Sequence, residues 1–307
     1  MPLLLFKPRP RLYQAHYEGV LGTTLTLQVQ AESPQKARAA EAAALDEIER
    51  LERIFSSFLP TSELSVWQAR GVAQLSPELR QLLCEAEQWM TRTYGAFNPA
   101  AAAIQALYQE NPQPEEAELE ALRRALEGPL WRWEGATAHK LTALPLTFNA
   151  LAKGHIADAA AQAAQRAGGL AVLLDLGGEI RHLGAQSVRV LITNPFAQAD
   201  NAPPLARLKI LNQGVATSGI SRRGHHLFDP RTAQPATQVT QATVVAPSAA
   251  TADVLATAFC VLEPMLSLSL AEVLGVGCLL VEASGHTHTN LRFVQMAEEI
   301  REEWRNR

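Results

Sequence analysis

The sequence predicts an α+β fold, and three observations carry that expectation. Residues 13–20 and 23–29 alternate in polarity on either side of Gly22, the pattern of a two-stranded hairpin. From Ser33-Pro34 a helical period takes over, with Leu45, Ile48, Leu51 and Phe55 on one face. Strand-like and helix-like segments then follow one another without the strict alternation of a parallel α/β sheet. The 307 residues, 47% hydrophobic and 19% charged, suffice for one large domain or for two closely packed lobes.

After the long helix, residues 55–65 form a turn-rich loop whose hydroxyls read as simple caps, with a short helix restarting at Ser62. Ser76-Pro77 opens a helix through Met90, closed by Gly95, and Asn98-Pro99 forces an extended turn before an Ala-rich helix. The acidic stretch 115–127 reads as a solvated amphipathic helix. Trp131, Trp133, His139, Leu141 and Leu144 suggest a short hairpin. A helix over about 150–167 ends at Gly168-Gly169, and the apolar run 170–174 is a buried strand delivered into Asp175-Leu-Gly-Gly-Glu179. Strands follow at 188–192 and 205–211, and a polar, glycine-punctuated stretch begins after Gly214. A helix at 265–274, strands at 278–282 and 290–294, and a charged C-terminal helix complete the expected order, with no internal repeat.

A formal net charge of -4 and the absence of a basic tract argue against nucleic acid as a partner. Cys84, Cys260 and Cys278 are odd in number and sit among apolar residues, so buried thiols are expected rather than disulfides or a zinc site. The run Leu3–Phe6 is too short for a signal segment, and no stretch reaches transmembrane length. The chain as given therefore reads as cytoplasmic, or as periplasmic if an export leader has been removed.

The segment 244–259 organises the chemistry. Thr243, Val244 and Val245 favour a strand, Pro247 stops it, and Ser248 caps an Ala-rich helix. Asp253 and Thr257, four residues apart, share one face of that helix. A carboxylate beside a hydroxyl is a hard-oxygen pair suited to Mg²⁺ next to phosphate. The alternative is a solvated acid favoured by the helix dipole and a threonine bonded back within its helix.

Five motifs in order resemble the ApbE family of FAD:protein FMN transferases. They are Phe55-Ser-Ser-Phe-Leu-Pro-Thr-Ser-Glu-Leu-Ser65, Gly95-Ala-Phe-Asn-Pro99, Ala150-Leu-Ala-Lys-Gly154 with Asp158, Ala216-Thr-Ser-Gly219 with His226-Leu-Phe-Asp-Pro230, and Ala246-Pro-Ser248 with Ala252-Asp-Val-Leu-Ala-Thr257. Asp175-Leu-Gly-Gly-Glu-Ile180 fits the same register. The resemblance spans about residues 20–294 and implies a single T-fold-like α+β domain over 1–307, with two packed lobes and a ligand cleft between them. It implies Mg²⁺-dependent transfer of the FMN half of FAD to a Ser or Thr hydroxyl of a target flavoprotein, releasing AMP.

The resemblance further implies that Asp253, Thr257 and a main-chain carbonyl at Ala150 hold Mg²⁺, that Lys153 lies on the pyrophosphate side, and that His226 is the general base. His225 matches no family position. Phe58, Ala96, Phe97, Asn98 and Leu227 match positions lining the flavin or its adenosine. Three positions depart from the family pattern: Thr147 and Asn98 stand where carboxylates are usual, and Leu21 replaces a methionine. Asn149-Ala150 in place of two glycines matches an Asn-bearing subgroup. Two other readings share these residues: an FAD pyrophosphatase using water, and a non-catalytic FAD-binding protein.

Overall fold

The computed structural model describes residues 10–197, 202–219 and 227–301. The expected hairpin is β1 (Arg11–Val20) with β2 (Thr23–Ala31), followed by α1 (Pro34–Phe55). Ser33 caps α1 by accepting Lys36 N at 3.2 Å, and Pro34 occupies the first turn, where its missing N–H costs nothing. Next come α2 (Glu63–Arg70), β3 (Val72–Gln74), α3 (Pro77–Arg92), α4 (Ala102–Glu110), α5 (Glu116–Glu127), β4 (Trp131–Glu134) and β5 (Thr137–Lys140). The hydroxyls of the 55–65 loop are caps, as expected: Ser62 Oγ accepts Ser65 N at 3.0 Å and itself donates to Ser56 O at 2.5 Å.

The second half contains α6 (Asn149–Arg166), β6 (Ala171–Leu176), β7 (Glu179–Leu183), β8 (Val188–Ile192), β9 (Ala206–Ile210), β10 (Gly214–Gly219), β11 (Phe228–Asp229), β12 (Gln234–Pro235) and β13 (Val239–Ala246). It ends with α7 (Ala249–Phe259), α8 (Pro264–Leu274), β14 (Gly277–Glu282), β15 (Thr287–Thr289), α9 (Leu291–Met296) and β16 (Ala297–Ile300).

The frame is an antiparallel sheet of eight described strands in the order β1-β2-β6-β7-β10-β13-β14-β15. One face carries α1, α6 and α7, which bring Ala40, Ala44, Ile48, Ala157, Ala160, Val254 and Leu255 onto Leu27, Val172, Leu174 and Val244. The other face carries the small sheet β16-β9-β8, whose Val190, Ile192, Leu208 and Ile210 pack on Val215, Val245, Leu279 and Val281. A strand between two layers has no solvent face, so β13 is buried at every position, Gln241 and Thr243 included. These interior polar groups find partners: Gln241 Nε2 donates to Thr193 O at 3.1 Å, and the Thr217 and Thr243 hydroxyls bond at 2.9 Å.

The third sheet, β3-β5-β4, closes the helical half around Trp67, Trp131 and Phe148. Phe148 lies immediately before α6, and Gln68 bonds both the N–H and the C=O of Leu146, at 2.7 and 2.8 Å. The entry to α6 is thereby fixed to the helical half. The apolar core that includes Trp67, Leu82 and Ile104 is continuous with the sheet-and-helix core.

Several expectations are corrected. Residues 290–294 are not a strand: Asn290 Oδ1 accepts Phe293 N at 3.1 Å, an N-cap that starts α9. Residues 297–300, expected in a charged helix, form β16 against β9, and residues 302–307 lie outside the described residues. The polar stretch after Gly214 begins with a central strand, β10, because its small residues let α7 approach. The strands β3, β7 and β15 were not anticipated. Among the described residues, no helix is long and apolar enough to cross a membrane.

The approach of α7 demands glycine at Gly214, where an added Cβ would stand 2.5 Å from Ala249 Cα. Gly214→Ala is therefore expected to destabilise the protein by about 1–3 kcal/mol, since backbone has to move to admit the methyl. Gly128→Ala, whose Cβ would meet nothing nearer than 3.8 Å, is the control. Equal denaturation midpoints for the two variants would refute the close-approach argument.

Candidate functional site

The site is built where α6 and α7 meet over β7 and β10. Ser248 caps α7, its Oγ accepting Thr251 N at 3.1 Å, while Asp158 of α6 accepts the first two helical N–H groups, Ala249 and Ala250, each at 3.0 Å. A carboxylate suits these orphan donors at the positive end of the helix. Asp158 also faces Arg181 at 3.0 Å, and Arg181 donates to Pro247 O at 2.6 Å, tying the turn before α7 to β7. Gly154 permits the crossing: a Cβ there would lie 2.5 Å from Ala249 O.

Asp253 returns the contact. Its Oδ2 accepts Gly154 N at 3.2 Å, and the side chain is only 2% exposed, which rules out the solvated-acid reading. Burial pushes its pKa up to about 7, against the pull of Lys153 and of the Gly154 bond, while Glu179 pushes the same way as burial. Lys153 Nζ pairs with Glu179 Oε1. Burial also raises the Glu179 pKa, opposed by Lys153, and its second oxygen, Oε2, is buried without a hydrogen-bond partner among the described residues. Thr257 Oγ1 meets Ser218 Oγ of β10 at 3.1 Å, a contact across to the sheet in place of the expected bond back within its helix.

Lys153, predicted on one motif, and Asp253 and Thr257, predicted on another, are thus brought to one corner, and Ala150 occupies the first turn of α6 beside them. Glu179 is the member that sequence reasoning missed. Its motif was read for the turn glycines, although an acid three residues past the end of β6 was the available signal. The Leu21 turn, where Leu21 has φ 51°, adjoins the 177–178 turn because Leu25 pairs with Leu176.

The helical half supplies the other candidates. Ala96 and Phe97 are buried, each 3% exposed, whereas Phe58 projects into solvent at 80% exposure. Asn98 is occupied at both ends of its amide: Nδ2 donates to Leu126 O at 3.1 Å and Oδ1 accepts Ala100 N at 2.9 Å. Thr147 N donates to Pro99 O at 2.8 Å, and its Oγ1 is buried with no hydrogen-bond partner among the described residues. Leu227 is half-buried, its carbonyl accepting Ala236 N at 3.0 Å. His226 and His225 lie outside the described residues. A groove of about 530 Å³, lined by Gln28, Leu173, Arg189 and Lys209, opens on the opposite face of the sheet from this corner.

Chemically, the corner offers two buried carboxylates, Asp253 and Glu179, two hydroxyls and one ammonium. This is a hard-oxygen donor set fitted to a cation such as Mg²⁺, and no group of three or more His, Cys, Asp or Glu stands ready for a metal among the described residues. Fold and site together define an α+β protein with an oxygen-rich corner between two helices.

Comparison with known proteins agrees with this class. The sequence profile of the ApbE family matches residues 21–280, and the chain belongs to that family. An FAD:protein FMN transferase of Rhodobacter capsulatus is 26% identical over 280 residues, covering 84% of this chain and 53% of that protein. The chain therefore spans about half the length of that relative. An FAD:protein FMN transferase of Treponema pallidum is 29% identical, with 86% and 83% covered. The crystal structure of the ApbE protein of Thermotoga maritima superposes with a TM-score of 0.83 at 22% identity, over 94% of this chain and 100% of that one, and confirms the fold.

Asp158 holds this corner together, so it provides a direct test. Asp158→Asn keeps the shape but leaves Arg181 without its counter-charge, and the expected loss is about 3–5 kcal/mol of unfolding free energy. Urea denaturation measures it, and a loss below about 1 kcal/mol would mean that the clamp does not anchor α7.

Proposed function

We propose that the protein is an FAD:protein FMN transferase that uses Mg²⁺ to move the FMN half of FAD onto a Ser or Thr hydroxyl of a target flavoprotein, releasing AMP. The observation that carries this reading is the buried Asp253 beside the Lys153–Glu179 pair, on residues of the family's own motifs. The names of the relatives from Rhodobacter capsulatus and Treponema pallidum support it.

In this reading Asp253, Thr257 and the Ala150 carbonyl hold the metal. Asp253 fits the role because its burial without a full counter-charge raises its pKa, a penalty that a cation relieves. Gly154 N, the donor that a regular helix directs at Ala150 O, also donates to Asp253 Oδ2 at 3.2 Å, which places the Ala150 end of α6 beside that carboxylate. Bound Mg²⁺ supplies charge neutralisation at the pyrophosphate. Lys153 adds a point charge on the same side.

His226 takes the proton of the acceptor hydroxyl as that oxygen forms a bond to the FMN phosphorus. The phosphoanhydride bond to the AMP phosphate breaks, and its electron pair leaves with AMP. The FAD pyrophosphatase reading differs only in the acceptor, water in place of the protein hydroxyl.

The decisive experiment incubates the protein with FAD, Mg²⁺ and candidate flavoproteins and looks for a covalent FMN adduct by intact mass. AMP formed without an adduct on any candidate would favour the pyrophosphatase.

Two sets of variants test the residue roles. Asp253→Ala is expected to abolish Mg²⁺-dependent FAD binding, and Thr257→Ala to weaken it less, because only the former removes an anionic ligand. Calorimetric titration of Mg²⁺ into each variant with FAD reads this, and equal metal dependence in both variants and the wild type would sink the assignment. His226→Asn should lower turnover by about 10²-fold to 10⁴-fold with FAD affinity kept, and His225→Asn should change little. Comparable rates for the two histidine variants would remove His226 from the mechanism.

A further inference from the structure

Glu179 has no place in the transfer chemistry described above, yet it is 5% exposed and sits at the centre of the site. It is the first residue of β7, opposite Leu176 on β6 and Ala216 on β10, and its side chain reaches Lys153 on α6. Only one of its oxygens is used there, and the other is buried with no hydrogen-bond partner among the described residues.

A second carboxylate, Asp253, lies close enough to interact with both Glu179 and Lys153. Two buried acids facing one ammonium is an unfavourable arrangement for stability alone, since replacing such a group by an uncharged one of similar volume is often neutral or stabilising. The acid is better explained by what it does to Lys153. A lysine carries its charge on a flexible four-carbon stem, and a phosphate site benefits only if that charge is in place before the ligand arrives. Lys153 leaves α6 one residue before Gly154, so its ammonium needs a fixed acceptor beyond its own helix to stay near Asp253. Glu179, rooted on a central strand, supplies it.

We propose that Glu179 is a positioning residue: its carboxylate holds the Lys153 ammonium beside Asp253, pre-set for the pyrophosphate of FAD. This assignment rests on the flavin-transferase reading and adds to it a residue acting through Lys153.

A double-mutant cycle on the full chain tests it, with FAD affinity in saturating Mg²⁺ followed by flavin fluorescence. Glu179→Gln is expected to weaken FAD about tenfold in the wild-type background and less than about twofold in a Lys153→Met background, because residues that act through one another are not additive. The thermal midpoint of Glu179→Gln should equal or exceed that of the wild type. Glu179→Met, which removes both acceptors at similar volume, enters the same cycle in case the glutamine variant folds poorly.

The same fold-change in both backgrounds, unchanged affinity in the wild-type background, or a lowered midpoint with affinity kept would each overturn the positioning role. A wild type that binds no FAD with Mg²⁺ would overturn the flavin-transferase reading and this role with it. An additive cycle in a protein that binds FAD overturns the role alone.

Discussion

The functional corner depends on an exchange of hydrogen bonds between α6 and α7. Asp158 on α6 accepts the first two N–H groups of α7, and Asp253 on α7 accepts Gly154 N of α6. Each helix thus supplies the carboxylate that satisfies backbone donors of the other. Such bonds are short-range and directional, so they fix the two helices against sliding as well as against separation. Glycine at 154 lets the backbones come near enough for both sets of bonds to form. Lys153 and Asp253 are therefore placed by the bonds of their immediate neighbours rather than by their own contacts.

Charge is balanced differently on the two sides of this crossing. Around Arg181, the Asp158 carboxylate and the carbonyls of Pro247 and Asn212 surround one guanidinium, and burial lowers the Arg181 pKa against the pull of Asp158. Around Lys153, two carboxylates share one ammonium, and both have their pKa raised by burial. The first arrangement is a structural joint, and the second holds acids whose burial is only partly offset by Lys153. Proteins concentrate such imbalance where a ligand completes the set. A bound divalent cation is the kind of partner that reverses it.

The sequence displayed the local rules well and the long-range ones poorly. Ser33, Ser62, Ser76 and Ser248 each cap the helix that their pattern announced, because a cap is decided within four residues. The same rule, applied to Asn290, would have found α9, but the alternation of apolar residues around Leu291 and Phe293 resembled a strand. The helical spacing of Asp253 and Thr257 was legible, whereas the burial of Asp253 was not, since it follows from the crossing of α6 over α7 and from the strands beneath them. Glu179 was invisible as a site residue for a related reason. Its partner, Lys153, is 26 residues away, and only the pairing of β7 between β6 and β10 brings them together.

Asn98 and Thr147 look alike in the sequence, as two neutral residues at positions where the resemblance to the family implies acids, but the structure separates them. At 98 the amide must donate to Leu126 O while its oxygen accepts Ala100 N, and a carboxylate can do only the second. An acid there would also face the Leu126 carbonyl, so asparagine is dictated by the protein's own hydrogen bonding. At 147 the backbone is tied to Pro99 O, which joins the two segments, but the hydroxyl is buried and has no hydrogen-bond partner among the described residues. An unpaired buried hydroxyl is costly unless a ligand or an ordered water completes it. The same change in charge therefore has opposite meanings: at 98 it follows from a joint within the helical half, and at 147 it leaves an open valence at the entrance to α6, where Phe148 and Gln68 hold the chain in place.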